Sequence, residues 1–381
     1  MATLPPDQLR IIRAKLVTNS GQPTIENIVS VLRETIPTIT KAELISNADT
    51  IFANTSGLGL IDDLVQTPNV TDVLVNGFSD IWFDRGNGLE KSSVAWNSET
   101  ELREFAARLA ASVNRRLDDV NPFIDAQLPK GIRFHAIIPP LSRQGTSLSF
   151  RIPARHQMRL NELIQVGTID SNIAELLKRL VQLRISFAIS GNTGSGKTTI
   201  LGALLSEVPQ HERILIIEDS TELQVTHPNV ISLQTRNANA EGIGGVELKQ
   251  LVKQALRMRP DRLVVGEVRG TEVLDLLIAL NTGHEGGCVT VHANNTEAVL
   301  ARFEALGLLA RIPKAAIHAL LKQAIRVLLH VERTESGRQL TEISLIEETA
   351  NGELKILKAL DLIKKQQFQP GWQKLQKLLE L

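Results

Sequence analysis

Eight residues constrain this chain more tightly than any other stretch: Gly191-Asn192-Thr193-Gly194-Ser195-Gly196-Lys197-Thr198. Their spacing, G-x-x-x-x-G-K-[ST], is that of a phosphate-binding loop. The aliphatic run Ile185–Ser190 leads in, and Thr199 opens an apolar stretch that continues to Leu205. That order predicts a buried strand, a glycine turn and a helix over Thr198–Leu205 whose N-terminus faces the turn. The glycines let backbone N–H groups converge on phosphates without side chains in the way. Lys197 is placed to reach the outer phosphates and the Thr198 hydroxyl to help hold Mg²⁺. A nucleotide contact set of Gly191 through Thr199 follows.

Downstream the rhythm of strand, loop and helix repeats. Candidate strands are Arg213–Glu218, Val230–Gln234, Arg262–Gly266 and Gly287–His292. Near-continuous β-branched and aliphatic runs suit a sheet covered by helices on both faces, so the expected class is α/β. In such a sheet the ligand sits beyond the carboxyl ends of the strands. Two of those ends carry acids, Glu218-Asp219 and Glu267. Either could orient water or stand near Mg²⁺, although acids also follow buried strands simply because the chain has reached solvent. His284 and His292 bracket a glycine turn and a short strand, a placement compatible with sensing the terminal phosphate and equally with packing. Arg257, Arg259 and Arg269 surround the Arg262–Gly266 strand, as candidate subunit contacts or surface charges.

The chain of 381 residues is too long for one core, which predicts two domains with terminal extensions. Residues 1 to about 55 carry helical spacing (Leu9, Ile12, Leu16; Ile25, Ile28, Val31, Leu32). Short strands follow at Val73–Val75 and Ile81–Phe83, then a helix over Glu99–Leu117 with Ser98 as N-cap and Glu101 completing a capping box. Arg133–Ile138 and Ser147–Ile152 read as further strands, and 153–167 as a connector. After Val327 three short strands are expected, with Asn351-Gly352 as a hairpin turn and a tail ending in a Lys-rich helix or disordered stretch. Acids and bases balance at a formal net charge of zero, and aromatic residues make up 3% with no tyrosine. Both argue against a nucleic-acid surface built on charge and base stacking. Cys288 is the single cysteine, which excludes an intramolecular disulfide or a multi-cysteine metal site and suits a reducing compartment. Residues 1–17 lack the apolar core of an export signal, and no uncharged run approaches the ~18 residues of a membrane span, so any membrane role is expected to be peripheral.

Four stretches in this order resemble the type II/type IV secretion ATPase superfamily. They are the loop Gly191–Thr199, an acidic box at Ile216–Leu223, a glutamate-ended Walker-B segment at Met258–Gly270 and a histidine box at Thr282–Asn294. Upstream, Asp72–Gly77 and Arg116–Asp119 look most like the ATPases of tight-adherence (Flp-type) pili, close to those of type IV secretion and conjugation. The resemblance implies a RecA-like C-terminal domain behind a smaller mixed α/β domain, a homo-hexamer, ATP with Mg²⁺, and nucleotide between the two domains. By position, Glu218 looks like the general base, Glu267 like the Walker-B acid near Mg²⁺, and His284 and His292 like the histidine-box residues. Arg133 and Arg151 match arginines that the first domain supplies to the phosphates, a role worth ~10³–10⁵ in rate in P-loop enzymes. The implied setting is cytoplasmic, against an inner-membrane platform protein, with no direct nucleic-acid contact. The histidine box departs from the common pattern at Glu285 and Cys288, neither at the implied chemistry. The expected layout is a helical extension (1–55), an α/β domain (56–153), a linker (154–170), a RecA-like domain (171–345) and a C-terminal extension (346–381).

Overall fold

The computed structural model describes residues 11–12, 15, 25–41, 43–45, 47–48, 51, 57–86, 88–154, 156–236, 238, 243–283 and 285–381. Leu9, Leu16 and His284 lie outside them. The chain forms two compact units, Met1–Ala154 and Arg155–Leu381.

In the first unit, helix α1 (Ile25–Thr35) buries Ile28, Val31 and Leu32 in a small cluster with Ile12, Leu44, Ala48 and Ile51. A one-turn helix, α2 (Asp62–Gln66), then leads into a six-stranded antiparallel sheet. Its strands are β1 (Asp72–Asn76), β2 (Ile81–Asp84), β3 (Leu89–Lys91), β4 (Phe123–Gln127), β5 (Arg133–Ile137) and β6 (Ser147–Arg151), in the order β3-β2-β1-β6-β5-β4. Helix α3 (Glu99–Ser112) buries Leu102, Phe105, Ala106 and Leu109, one stripe at helical spacing. Phe105 meets Phe150 and Trp96 in a core completed by the stacked pair Phe134–Phe150. Ser98 caps the helix by accepting from the Glu101 N–H, as expected, but Glu101 reaches one residue further back, to the N–H of Asn97. The helix stops short of Leu117 because Asn114 takes a left-handed conformation (φ 56°).

The second unit is built on nine strands: β7 (Phe187–Gly191), β8 (Ile214–Glu218), β9 (Val230–Gln234), β10 (Arg262–Val265), β11 (Cys288–His292), β12 (Val327–Thr334), β13 (Gly337–Glu348), β14 (Leu354–Asp361) and β15 (Gln366–Gln367). Their order is β15-β14-β13-β12-β7-β11-β10-β8-β9. The strands from β12 to β9 run parallel, and β12 to β15 form an antiparallel meander. Alternate residues of one strand belong to different cores. Ile214 and Ile216 pack with α5 (Ser171–Gln182) and α6 (Lys197–Leu205), whereas Leu215 and Ile217 pack with α7 (Leu248–Ala255), α8 (Val273–Asn281), α9 (Glu297–Leu309) and α10 (Lys314–Ala324). Both faces are covered, which is why these strands read as unbroken aliphatic runs.

The α/β class holds, and two stretches expected as connector and tail are part of the second unit's core. Within 154–170 lies a short helix, α4 (Leu160–Gln165), and Leu160, Leu163 and Ile169 are buried. Strand β13 runs through residue 345, β14 extends the sheet beyond it, and helix α11 (Gly371–Leu379) buries Leu375 and Leu379 completely. Their apolar residues are spaced by lysines and glutamates that stay at the surface, so the pattern reads as polar although one face is core. Strand β4 was not anticipated: its Phe123 and Asp125 are exposed at the sheet edge.

Candidate nucleotide-binding site

Parallel strands align their carboxyl ends, and the registers set the height of each residue. Gly191 at the end of β7 stands opposite His292 of β11, Val265 of β10 is level with both Val289 and Ile217, and Glu218 closes β8. The phosphate loop, His292, Glu267 and Glu218 therefore share one edge of the sheet, on neighbouring strands in the order β7-β11-β10-β8. Strand spacing puts Glu218 about 14 Å across the sheet from the loop strand.

Gly196 is the N-cap of α6, so the helix begins at Lys197. The Lys197 ammonium donates to the carbonyls of Gly191 (2.8 Å) and Asn192 (2.9 Å). Asn192, Thr193 and Gly194 are exposed at the loop crest, while Thr198 and Thr199 are half-buried in the first helical turn. The Ser195 hydroxyl is buried and has no partner among the described residues. The loop thus offers a helix N-terminus, a cation and an unmet hydroxyl in one place, a donor set that fits a phosphate chain. The Thr198 hydroxyl and the Glu267 carboxylate are hard oxygen donors of the kind Mg²⁺ takes.

Glu218 is 5% exposed, and burial pushes its carboxyl up to about 7 against the opposing backbone N–H bonds of Leu223 and Glu222. Those N–H groups donate to one oxygen, at 3.1 and 3.2 Å, and hold the side chain in place. Gly266 makes room for it: a Cβ there would lie 2.7 Å from Glu218 Cγ. A fixed, dry carboxylate near neutrality suits a group that takes a proton from water. Asp219 is also raised, chiefly by burial with Arg269 opposing. Glu267, the third acid at this edge, is ion-paired to Arg269, whose backbone N–H and that of Gly270 donate to Glu272. Arg269 is therefore a local partner of the site acids.

His292 is exposed at the end of β11 beside Gly191. His284 is outside the described residues; at the start of β11, Gly286 accepts from Arg262 and donates to Ser186. Cys288 is fully buried, its thiol pushed up to about 12 by burial, and is inert packing.

In the first unit, register brings the two expected arginines together: Arg133 of β5 stands directly opposite Arg151 of β6. Arg133 pairs with Asp125 on β4 at 2.8 Å. Arg151 in turn stands opposite Asp72 of β1, so an acid lies on the strand beside each arginine.

Sequence reasoning missed His330. It is 2% exposed in β12, opposite Ser190, whose hydroxyl lies 2.8 Å from its Nδ1. Burial holds its imidazole below the ordinary range, with Glu332 and Glu342 opposing. A histidine inside the aliphatic run Val327–Val331, in a strand covered on both faces, was the signal available.

Comparison with known proteins agrees with this geometry. A family model described as "Type II/IV secretion system protein" matches residues 54–359. A Mycobacterium tuberculosis H37Rv protein that carries a conjugal-transfer name is 47% identical over 80% of this chain and 88% of its own length. The conjugal transfer protein TrbB of Rhizobium radiobacter is 30% identical over 73% of this chain and 84% of its own. Among solved structures, the pilus retraction motor PilT with bound ADP shares the fold at a TM-score of 0.55, with 20% identity, 77% of this chain and 84% of that one covered. No helix among the described residues is long and apolar enough to cross a membrane. With a phosphate loop and strand-end acids on one edge of a RecA-like sheet, and a family match spanning most of its length, the chain belongs to the type II/IV secretion ATPase family.

Proposed function

We propose that this protein is a hexameric ATPase that powers assembly or secretion at the bacterial inner membrane, working from the cytoplasmic side on a membrane-embedded platform protein. The observation that carries the reading is Glu218, a buried carboxylate near neutrality on the same sheet edge as Lys197 and Thr198. Residues 191–199 bind ATP, with Thr198 and Glu267 toward Mg²⁺, which when bound offsets phosphate charge. Glu218 takes the proton of the attacking water. Its two backbone donors keep the carboxylate aimed while the charge develops. His292, beside Gly191, senses the terminal phosphate. His284, the other histidine of the box, relays that state to an adjoining subunit. Arg133 and Arg151 together neutralise transition-state charge on the phosphates, a role that their direct opposition on β5 and β6 supports.

The test is ATP hydrolysis by purified protein, resolved by oligomeric state, with and without DNA. Activity confined to a hexameric fraction, lost in Lys197→Ala and indifferent to DNA, is the expected result. Activity that appears only with DNA would overturn the secretion reading in favour of a translocase.

The upstream pattern at Asp72–Gly77 supports a tight-adherence pilus as the machine served. A second reading, a conjugation or type IV secretion motor, draws on the names of the M. tuberculosis and R. radiobacter relatives. Deleting the gene separates the two: loss of surface pili supports the first, loss of transfer with pili intact the second.

A further inference from the structure

The phosphate loop has a wall that none of the four motifs contains. Strand β12 pairs with β7 only from Val327 to His330, then runs on to Thr334 and turns back as β13. The projecting part of this hairpin lies against the loop. The Val331 carbonyl packs so closely on Gly191 that a Cβ there would sit 2.3 Å from it. At the base, Leu340 donates to the Thr168 carbonyl and the Gln339 amide to that of Gly167, tying the hairpin to the entry of α5. At its tip stands Arg338. Its Nε donates to the Gly194 carbonyl at 2.9 Å, and its Cδ would be 3.2 Å from a Cβ on Gly196. One arginine thus lies along the crest of the loop, over two of its three glycines.

A surface arginine with a solvated head is the ordinary case, yet three facts set this one apart. It bonds a backbone carbonyl of the loop and has no carboxylate partner among the described residues. It comes from a segment about 140 residues away in sequence. And the carbonyl it engages belongs to the turn whose N–H groups must point inward for phosphates to bind. Engaging that carbonyl from outside favours the inward orientation of the neighbouring N–H groups, and a guanidinium's further N–H donors suit phosphate oxygens.

We propose that Arg338 is a further residue of the nucleotide site, holding the phosphate loop in its binding shape through Gly194 and adding positive charge to that of Lys197 for a nucleoside di- or triphosphate. This rests on the ATPase reading above. The hairpin thereby couples the C-terminal meander to nucleotide occupancy.

The experiment is ADP affinity by calorimetry, together with KM and kcat for ATP, on the wild type, Arg338→Ala, Arg338→Lys, Arg338→Gln and Lys197→Ala. Loss of one charge-assisted contact predicts an ADP dissociation constant and an ATP KM raised about ten-fold in Arg338→Ala, with kcat moving far less. Lysine should recover part of the affinity and glutamine little. The Tm of the unliganded protein should stay put while the shift produced by ADP shrinks. Wild-type ADP affinity in Arg338→Ala overturns the proposal, as does a lowered unliganded Tm with unchanged affinity. Where the alanine chain fails to fold, Arg338→Gln decides, and wild-type affinity there is equally fatal. No ADP binding by the wild type itself would sink the ATPase reading, whereas binding lost in Lys197→Ala and kept in Arg338→Ala removes Arg338 alone.

Discussion

Two buried glutamates six positions apart, at opposite ends of β8, meet opposite fates. Glu212, just before the strand, is 2% exposed; burial pushes it up, but Arg262 and Arg184 more than reverse this and leave its carboxyl below the usual range. Arg262, itself 1% exposed, spends its other donors on the Val181 and Gly286 carbonyls. Glu218, at the far end, has only two backbone N–H groups and rises to about 7. One edge of the sheet satisfies its charge with protein partners, and the other leaves a carboxylate and the Ser195 hydroxyl waiting for something else. Burial of charge alone does not mark a site; burial without a counter-ion does.

The largest test of that contrast is Glu218→Gln. Turnover should fall by about 10³-fold with ADP affinity kept, since a positioned general base contributes in that range. Stability should move the other way. A carboxyl raised in the folded state supports folding fully below its unfolded value of 4.5 and loses that support as pH rises through about 7. At pH 8 the charged wild-type side chain therefore costs up to about 3 kcal/mol that a neutral glutamine avoids, while near pH 4 the two proteins converge. Thermal unfolding of both at the two pH values checks it. An equal or lower Tm for the glutamine variant at pH 8 would put Glu218 among the satisfied charges.

Arg262→Ala makes the opposite cut. It removes one of the two cationic partners of buried Glu212 and leaves Arg184 alone beside it, so a loss of about 2 kcal/mol is expected, measured by urea unfolding. Turnover per folded molecule should hardly change, because Arg262 is at the edge away from the loop. For Glu212 the pH sign is reversed: its contribution is present above 4.5 and is lost as pH falls through its lowered folded value. A large drop in kcat without loss of stability would show that the two edges are coupled through β10.

A smaller effect is the pH profile of the wild type. With Glu218 as base, kcat/KM should climb about ten-fold per pH unit below 7 and level off above it. A flat profile from pH 5.5 to 8 would move the base to another group, with Asp219 the next raised acid on that edge.

How much of this was legible beforehand follows from the same physics. The phosphate loop, the strands at its edge and the acids at their ends stood out because a doubly covered parallel sheet writes itself as aliphatic runs with polar residues only where the chain emerges. The meander was half legible: the three strands after Val327 and the Asn351-Gly352 turn are in the sequence, but Lys355, Lys358 and Lys374 lie among core residues of β14 and α11, so the stretch from 346 on looks like an extension rather than core. The pairing of Arg133 with Arg151 was out of reach because register depends on the turn over 138–146, not on either strand. His330 and Arg338 carry no motif: the pairing of β12 with β7 sets His330 against Ser190, and only the hairpin that projects past β7 brings Arg338 to the loop.

The smallest effect concerns a cap on the satisfied side. Asp170 accepts from the Ile173 N–H at 2.8 Å and starts α5, whose last turn supplies the Val181 carbonyl to Arg262. Removing one N-cap typically costs about 1 kcal/mol, so Asp170→Ala should lower stability by that much in urea unfolding. The loss should add to that of Arg262→Ala if helix start and helix end act independently, and fall short of the sum if fraying of α5 already loosens the Val181 contact. Hydrolysis should be untouched either way. A drop in ATP affinity from this change would mean that the segment from Gly167 to Asp170, which holds the base of the β12–β13 hairpin, reaches the phosphate loop as well, and the division between the two edges would have to be redrawn.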